Sequence, residues 1–264
     1  MGHDTGFLDV AVPLPETDRV VRELDYMHFT VLLDPGRRLA LATVVDIDGD
    51  RLVDLGRSDR WQLDPREPAD EQCGNELYRA NDLDRGHLVR RLDPVWGEAA
   101  EARAAERDTF FYPNAAPQVA ALNQGKDLWL GLEDHLLGYA EAQRHRVTVV
   151  TGCVFEADDP EYRGVLIPRR FYKVAAWVSG GALRSTAFVL DQSPQLDDIR
   201  IGVRAGDVPP LGPFRTFQVA VADVAAAAGI RIPALIDADI AVASTVWGAD
   251  RSWRELSSTD DILL

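Results

Sequence analysis

Runs of β-branched and aromatic residues, each bounded by Gly, Pro or Asp, recur in both halves of the chain. Such runs are typical of buried strands. Turn residues separate two pairs of them, at Asp34-Pro35-Gly36 and at Gly180-Gly181, so each pair predicts an antiparallel hairpin. The predicted strands are Tyr26–Leu33, Leu39–Ile47, Val147–Gly152, Phe171–Val178 and Leu183–Leu190.

The clearest helical pattern covers residues 127–144. Trp129, Leu132 and Leu136 recur at intervals of three and four residues, which places an apolar stripe on the face toward the core. A shorter helix is predicted over Val224–Ala228, with a glycine as its C-cap. Together with the strands, these helices predict an α+β fold: a central antiparallel β-sheet flanked by helices.

The distribution of the elements indicates one domain. Residues 55–77 show no hydrophobic period and are rich in Asp, Pro, Gly and Arg, which predicts a long loop of the kind that tends to be functional or disordered. Strands are predicted on both sides of this region, so a single domain over residues 21–240 is favoured. Residues 1–20, which contain two prolines, are expected to be a loosely ordered lead, and residues 241–264 a C-terminal tail or extension.

Composition narrows the class of protein. With 264 residues, 46% hydrophobic and 27% charged, the chain matches an ordinary globular protein, and no apolar run approaches the ~20 residues of a membrane span. The first residues show no secretory signal, so we expect a cytoplasmic protein without a membrane partner, while export by another route stays open. Cys73 and Cys153 are too few for a disulfide framework or a zinc site. Free thiols are favoured over a single bridge.

One polar stretch, Tyr78–Arg91, cannot be explained by packing. It groups a histidine, several arginines and acidic or amide side chains around Gly86, without a hydrophobic period. Gly86 allows a sharp turn or a close backbone approach directly before His87. Arg85 beside this histidine indicates a site that holds an anion while a neutral imidazole moves a proton.

Further motifs follow this stretch in a fixed order. Asp84–His87 reads Asp-Arg-Gly-His (DRGH); then come an Asn-x-x-Pro-Gln segment at 114–118, Asn-Gln-Gly at 123–125 and a Trp-x-x-Leu-Glu helix at 129–133. This order resembles the DNA/RNA non-specific endonucleases of the ββα-metal superfamily, a group that includes endonuclease G-like enzymes. The resemblance extends over roughly residues 25–235. It implies a ββα-metal motif built from the strands around His87 and Phe110 and the helix after Asn123.

The resemblance also implies catalytic roles. His87 would be the general base. Asn123 would be the direct ligand of Mg²⁺, with Mn²⁺ as the alternative ion. Glu133 would hold a metal-bound water, although it stands ten residues after Asn123 where many members have eight, so Asp127 stays open as the alternative. Arg85 would bind the scissile phosphate.

Three further residues are assigned to substrate binding. Arg60, beside Trp61, would be the second phosphate-binding arginine, with Arg57 as the alternative. Asn114 is a candidate to contact substrate or to orient the second nitrogen of His87. Gln118 is expected to contact substrate or to hold the loop.

The implied function is a Mg²⁺-dependent, sugar-non-specific endonuclease that hydrolyses DNA and RNA, single or double stranded, and leaves 5′-phosphate ends. Two alternatives stay open: an inactive nucleic-acid or protein-binding module on a nuclease scaffold, and a phosphodiesterase for a smaller substrate. A homodimer and an inhibitor protein are open as partners. The net charge of −15 opposes nucleic acid, so binding would need a local basic cleft. Its candidate residues are Arg57, Arg60, Arg66, Arg79, Arg85, Arg90 and Arg91.

Overall fold

A computed structural model describes residues 1–56, 59–119, 129–198, 215–243, 253–256, 258 and 261–263. Its strands are β1 (Arg22–Tyr26), β2 (Phe29–Asp34), β3 (Leu39–Asp48), β4 (Leu83–His87), β5 (Ala115–Val119), β6 (Arg146–Val154), β7 (Glu161–Tyr162), β8 (Val165–Leu166), β9 (Arg170–Ser179), β10 (Ala182–Asp191), β11 (Arg215–Val219) and β12 (Arg254–Glu255). Its helices are α1 (Asn75–Tyr78), α2 (Ala99–Asp108), α3 (Trp129–Gln143), α4 (Ser193–Asp198), α5 (Val221–Ala228), α6 (Pro233–Asp237) and α7 (Ile240–Ala243).

Eight strands form one sheet in the order β1-β2-β3-β6-β9-β10-β11-β12, and every neighbouring pair is antiparallel. The predicted α+β class with a central antiparallel sheet is confirmed. The β9–β10 hairpin turns at Gly180 and Gly181, whose φ angles of 59° and 77° are ones that glycine adopts without strain. Gly229, also at positive φ, ends α5 as its C-cap.

Some elements differ from the predicted ones. The run predicted as one strand over residues 26–33 is divided by a turn at Met27 and His28, and β1 and β2 pair across it. Helix α2 lies in a region for which no helix was predicted. A capping box of Glu98 and Glu101 begins it.

The two faces of the sheet bury separate hydrophobic cores. One core lies under α3 and the β4–β5 hairpin, and its residues include Phe29, Ile47, Leu132 and Phe171. The other packs the N-terminal segment, α5 and α6 onto the opposite face. The first core therefore supports the elements that carry the DRGH motif.

The N-terminal segment is packed rather than loosely ordered. Phe7, Leu8 and Val12 are buried in the second core. The side chain of His3 is also buried, with Nδ1 2.9 Å from Asp46 Oδ1 and Nε2 2.7 Å from the carbonyl of Val12. The expectation of a loose lead over residues 1–20 is wrong because apolar side chains between its polar residues find a sheet face to cover.

The C-terminal region also contributes to the fold. Arg254 and Glu255 form β12, which pairs with Phe217 and Gln218 at the edge of the sheet. Leu256 and Ile262 are buried in the first core. The described residues 253–256 and 262 thus pack with the sheet, and the division into a domain over 21–240 and a tail or extension over 241–264 stays a prediction.

The long polar region after residue 55 is held by a buried carboxylate. Asp64 accepts hydrogen bonds from the Tyr26 hydroxyl at 2.6 Å and from the Arg66 guanidinium, and its backbone N–H donates to Gln72. Despite burial, the hydrogen bonds from Arg66 and Tyr26 hold the pKa of Asp64 below its usual range. Within the described ranges, no helix is long and apolar enough to span a membrane.

Candidate active site

The DRGH motif forms strand β4, which pairs with β5 as a separate two-stranded sheet. Arg85 lies opposite Pro117, and His87 lies opposite Ala115. Since side chains alternate along a strand, Arg85 and His87 lie on one face of this hairpin, and Asp84 and Gly86 lie on the other. The partner strand covers Ala115–Val119 rather than the residues around Phe110, so the Asn-x-x-Pro-Gln segment is mostly strand.

The side chain of Gln118 on β5 explains why position 86 is glycine. A Cβ atom at position 86 would lie 2.1 Å from the Cδ and Oε1 atoms of Gln118, well inside contact distance. Gln118 is only 2% exposed. Of its two expected roles, holding the loop is the one that this packing supports.

Asn114 is fully buried, and its carboxamide is used by the backbone around the site. Its Oδ1 accepts from the N–H of Val89 at 2.8 Å, and its Nδ2 donates to the carbonyls of Val89 and Thr109, both at 3.0 Å. Its backbone carbonyl accepts from the N–H of Leu88. Both N–H groups of the carboxamide donate to backbone carbonyls, whereas a bond from His87 needs only an oxygen acceptor, so the assignment of Asn114 to substrate binding or to a bond with His87 stays a prediction. Asn114 fixes the chain that directly follows His87.

The backbone N–H and C=O groups on the other edge of β5 form hydrogen bonds with a side chain rather than with a further strand. Gln192, which is fully buried, accepts from the N–H of Val119 at 3.0 Å through Oε1. Its Nε2 donates to the carbonyls of Pro117 at 3.2 Å and Pro168 at 2.7 Å. Gln192 thereby ties the hairpin to the end of β10 in the central sheet.

Aromatic rings surround the imidazole of His87. The ring of Trp61 lies 4.6 Å away, tilted by 47°, and that of Phe110 lies edge-on at 5.1 Å. Backbone hydrogen bonds of Gln62 with Phe110 and Tyr112 hold the segment around Trp61 at this place. These contacts limit the orientations of the His87 ring and bring the exposed Arg60, next in sequence to Trp61, toward the same region.

Arg85 is oriented by two residues of α1, Asn75 and Tyr78. Its guanidinium carbon lies 5.7 Å from the centre of the Tyr78 ring, and Nη2 donates to Asn75 Oδ1 at 2.5 Å. These contacts hold the side chain on the His87 face of the hairpin. Arg57, the alternative to Arg60, lies outside the described residues.

Fewer positive charges are available for the expected basic cleft than the number of arginines indicates. Arg66 is paired with Asp64, Arg90 with Asp134, and Arg91 lies 3.9 Å from Glu106. These carboxylates offset three of the seven candidate charges.

Glu133 lies near the start of the described part of α3 and faces the central sheet. Its Oε1 is 3.3 Å from Nζ of Lys173 on β9. The lysine also donates to Thr151 Oγ1 on β6 at 3.0 Å. Neither Asp127 nor Asn123 is among the described residues, so the choice between Glu133 and Asp127 stays open.

A second buried carboxylate, Asp93, interacts with the charges of Lys173 and Glu133. Its burial raises its pKa from 3.8 to about 7, and the positive charges of Lys173 and Arg90 only partly oppose that shift. Neither Asp93 nor Lys173 was predicted as a site residue, because the role of a buried acid or base depends on partners from distant parts of the chain.

Of the two groups expected to hold magnesium, Glu133 is among the described residues and Asn123 is not. In the part of the chain that the structure describes, no three His, Cys, Asp or Glu side chains come together to hold a metal. A hard cation that keeps most of its waters and takes one amide oxygen needs no such cluster. The Glu133 side chain, 10% exposed, has the acceptor oxygens that a water bound to such a cation requires.

Comparison with known proteins agrees with the motif order. The family model of the DNA/RNA non-specific endonucleases matches residues 9–239. The uncharacterized protein y4fB of Sinorhizobium fredii is 37% identical over 290 aligned positions, which cover 99% of this chain and 42% of that protein. Mitochondrial endonuclease G of Homo sapiens is 31% identical over 183 positions, covering 63% of this chain and 58% of that protein. The chain thus matches less than two thirds of the length of either relative.

A solved structure has the same fold. The crystal structure of the EndoG/EndoGI complex aligns with a TM-score of 0.59 and 20% identity, over 80% of this chain and 85% of that one. The match of the family model over most of the sequence decides the assignment: the chain belongs to the DNA/RNA non-specific endonuclease family.

Proposed function

We propose that the chain is a metal-dependent endonuclease that hydrolyses the phosphodiester bonds of DNA and RNA. The observation that carries this proposal is the hairpin β4–β5, which presents Arg85 and His87 on one face. Within this hairpin Gln118 packs against Gly86, while Asn114 fixes the backbone after His87 and Gln192 ties β5 to the central sheet. Such preorganisation is what a positioned base and an anion-binding group require.

In this mechanism His87 accepts the proton of the attacking water, because an imidazole can take a proton near neutral pH. Arg85 and Arg60 donate hydrogen bonds to the non-bridging oxygens of the phosphate as negative charge develops there. The aromatic rings of Trp61 and Phe110 limit the orientations of the His87 ring. Hydrolysis breaks the bond between phosphorus and the 3′ oxygen, which leaves as a 3′-hydroxyl, so the other product carries a 5′-phosphate.

The metal is proposed to be Mg²⁺, with Mn²⁺ as a substitute. Asn123 would supply its direct protein oxygen, and Glu133 would accept a hydrogen bond from a coordinated water. When bound, the ion neutralises charge on the phosphate and assists departure of the leaving oxygen.

The test is cleavage of supercoiled plasmid and of RNA, with Mg²⁺ and with chelator. The substitution His87→Ala should reduce cleavage of both by ~10²–10⁴-fold, the usual contribution of a general base. His145→Ala is the matched control. His145 follows the C-terminal end of α3, and its imidazole stacks on Tyr139 of that helix. Equal rates for wild type and His87→Ala would remove this histidine from the mechanism.

A smaller phosphodiester is the second candidate substrate. The net charge of −15 and the carboxylate partners of Arg66, Arg90 and Arg91 favour it over a long polyanion. Hydrolysis of bis(p-nitrophenyl) phosphate without cleavage of plasmid or RNA would support this alternative. No hydrolysis of any of these would support an inactive binding module. The EndoG/EndoGI complex suggests an inhibitor protein as a further partner of this family member.

A further inference from the structure

Lysine is rare in this chain, and one of its two positions is buried. The chain contains two lysines, Lys126 and Lys173, and all its other Lys or Arg positions are arginine. The side chain of Lys173 is 1% exposed, in the middle of β9 at the centre of the sheet. A chain that otherwise places arginine at its cationic positions therefore has a compact ammonium at a core position.

The surroundings of Lys173 connect the sheet to helix α3. Its Nζ lies 3.3 Å from Glu133 Oε1 and donates to Thr151 Oγ1 at 3.0 Å. The hydroxyl of Thr151 lies on the neighbouring strand β6, so it fixes the ammonium from the sheet side. The carboxylate of Glu133 pairs with the ammonium from the helix side.

Stability alone does not account for this buried pair. Moving two charges out of water is costly, and replacing a buried ion pair by apolar side chains of similar volume is often neutral or stabilising. What such a pair does provide is a defined position for each partner. The Oε1 atom of Glu133, which faces Lys173, is buried, while the side chain as a whole is 10% exposed.

We propose that Lys173 is a positioning residue that fixes the Glu133 carboxylate so that it accepts a hydrogen bond from a metal-bound water. This inference rests on the proposed function, because it assigns Glu133, rather than Asp127, to the metal. In this proposal Lys173 affects metal binding through Glu133 and touches neither substrate nor metal, while its charge also acts on the buried Asp93. Loss of a partner of this kind typically lowers metal affinity or activity by ~10- to 100-fold.

The test is a double-mutant cycle read by Mn²⁺ binding to the metal-free protein, measured by electron paramagnetic resonance. Lys173→Met and Glu133→Gln should each weaken Mn²⁺ binding by ~10- to 100-fold. The double variant should be no weaker than Glu133→Gln alone, because the lysine then has no carboxylate to hold. Val149→Ala, a truncation in the same core, is the control for general loss of stability and should keep wild-type affinity.

Three results would overturn the inference: wild-type affinity in Lys173→Met, full additivity with Glu133→Gln, or no measurable Mn²⁺ binding by the wild type. If Lys173→Met does not fold, as judged by circular dichroism, Thr151→Val removes only the hydrogen bond to the ammonium. Weaker Mn²⁺ binding by Thr151→Val that disappears in the Glu133→Gln background supports the inference, and unchanged binding overturns it. Nuclease activity is scored separately: a wild type that binds Mn²⁺ with this coupling but cleaves no plasmid or RNA contradicts the proposed function alone.

Discussion

Gly86→Ala is the perturbation for which the structure gives the clearest expectation. The backbone at position 86 lies outside the left-handed region, so alanine is not strained there by its φ angle. The added methyl would, however, lie 2.1 Å from two atoms of the Gln118 carboxamide and 2.5 Å from its Cγ. The carboxamide must move by roughly 1 Å or more in a region where side chains are close-packed.

The expected cost combines two opposing effects. Overpacking of this kind destabilises proteins by about 1–3 kcal/mol. A Gly→Ala change returns about 0.4–1 kcal/mol through the lower entropy of the unfolded chain. If β4 moves instead of Gln118, Arg85 and His87 move with it. A displacement of about 1 Å can reduce a catalytic rate by ~10²-fold.

The assay is a cycle of Gly86→Ala, Gln118→Ala and the double variant, with the free energy of unfolding from urea denaturation and the rate of plasmid cleavage. Gly86→Ala should be neutral or slightly stabilising in the Gln118→Ala background, because the space for the methyl is then open. The coupling should be about 1–3 kcal/mol. An equal cost of Gly86→Ala in both backgrounds would refute the explanation of Gly86 by Gln118.

Three further expectations concern the same region. Asn114→Ala should destabilise the fold by about 1–3 kcal/mol or more, because it leaves buried backbone groups of Val89 and Thr109 without partners; unfolding at neutral pH in urea measures this, and wild-type stability would contradict it. Burial raises the pKa of Asp93 to about 7. Between about pH 4 and 7 the folded protein therefore keeps a proton on Asp93 that the unfolded chain has lost. The free energy of unfolding should fall as the pH rises through this range. The decrease is at most about 4 kcal/mol, and Asp93→Asn should lack this slope in urea denaturation between about pH 4 and 8; parallel curves would assign the raised pKa elsewhere. Arg85→Ala should flatten the salt dependence of DNA affinity by about one unit of the logarithmic slope, as measured by fluorescence anisotropy, whereas an unchanged slope would place the phosphate site elsewhere.

The local pattern of the sequence determined most of the sheet. The β9–β10 hairpin follows from two apolar runs and a Gly-Gly turn, and α5 from an apolar helix that ends at Gly229. The polar stretch around His87 was visible for the same reason: charged residues beside a glycine, without a hydrophobic period, are not explained by packing. In each case neighbouring residues contain the whole signal.

The tertiary structure decided the roles of the buried polar groups. The contacts of the Asn114 carboxamide with Val89 and Thr109 were not predicted from the sequence. Gln192 holds β5 from more than seventy residues away, and its sequence neighbourhood gives no indication of that contact.

The same distinction explains the chain ends and the buried lysine. Phe7 is buried only because the sheet and α5 provide a face for it, and β12 forms only where β11 leaves an edge to pair with. Lys173 and Glu133 stand forty residues apart and meet because a helix crosses a strand. Turns and hydrophobic periods are properties of adjacent residues, so the sequence alone determines them. The environment of a buried polar group is set by partners that only the folded chain brings within hydrogen-bonding distance.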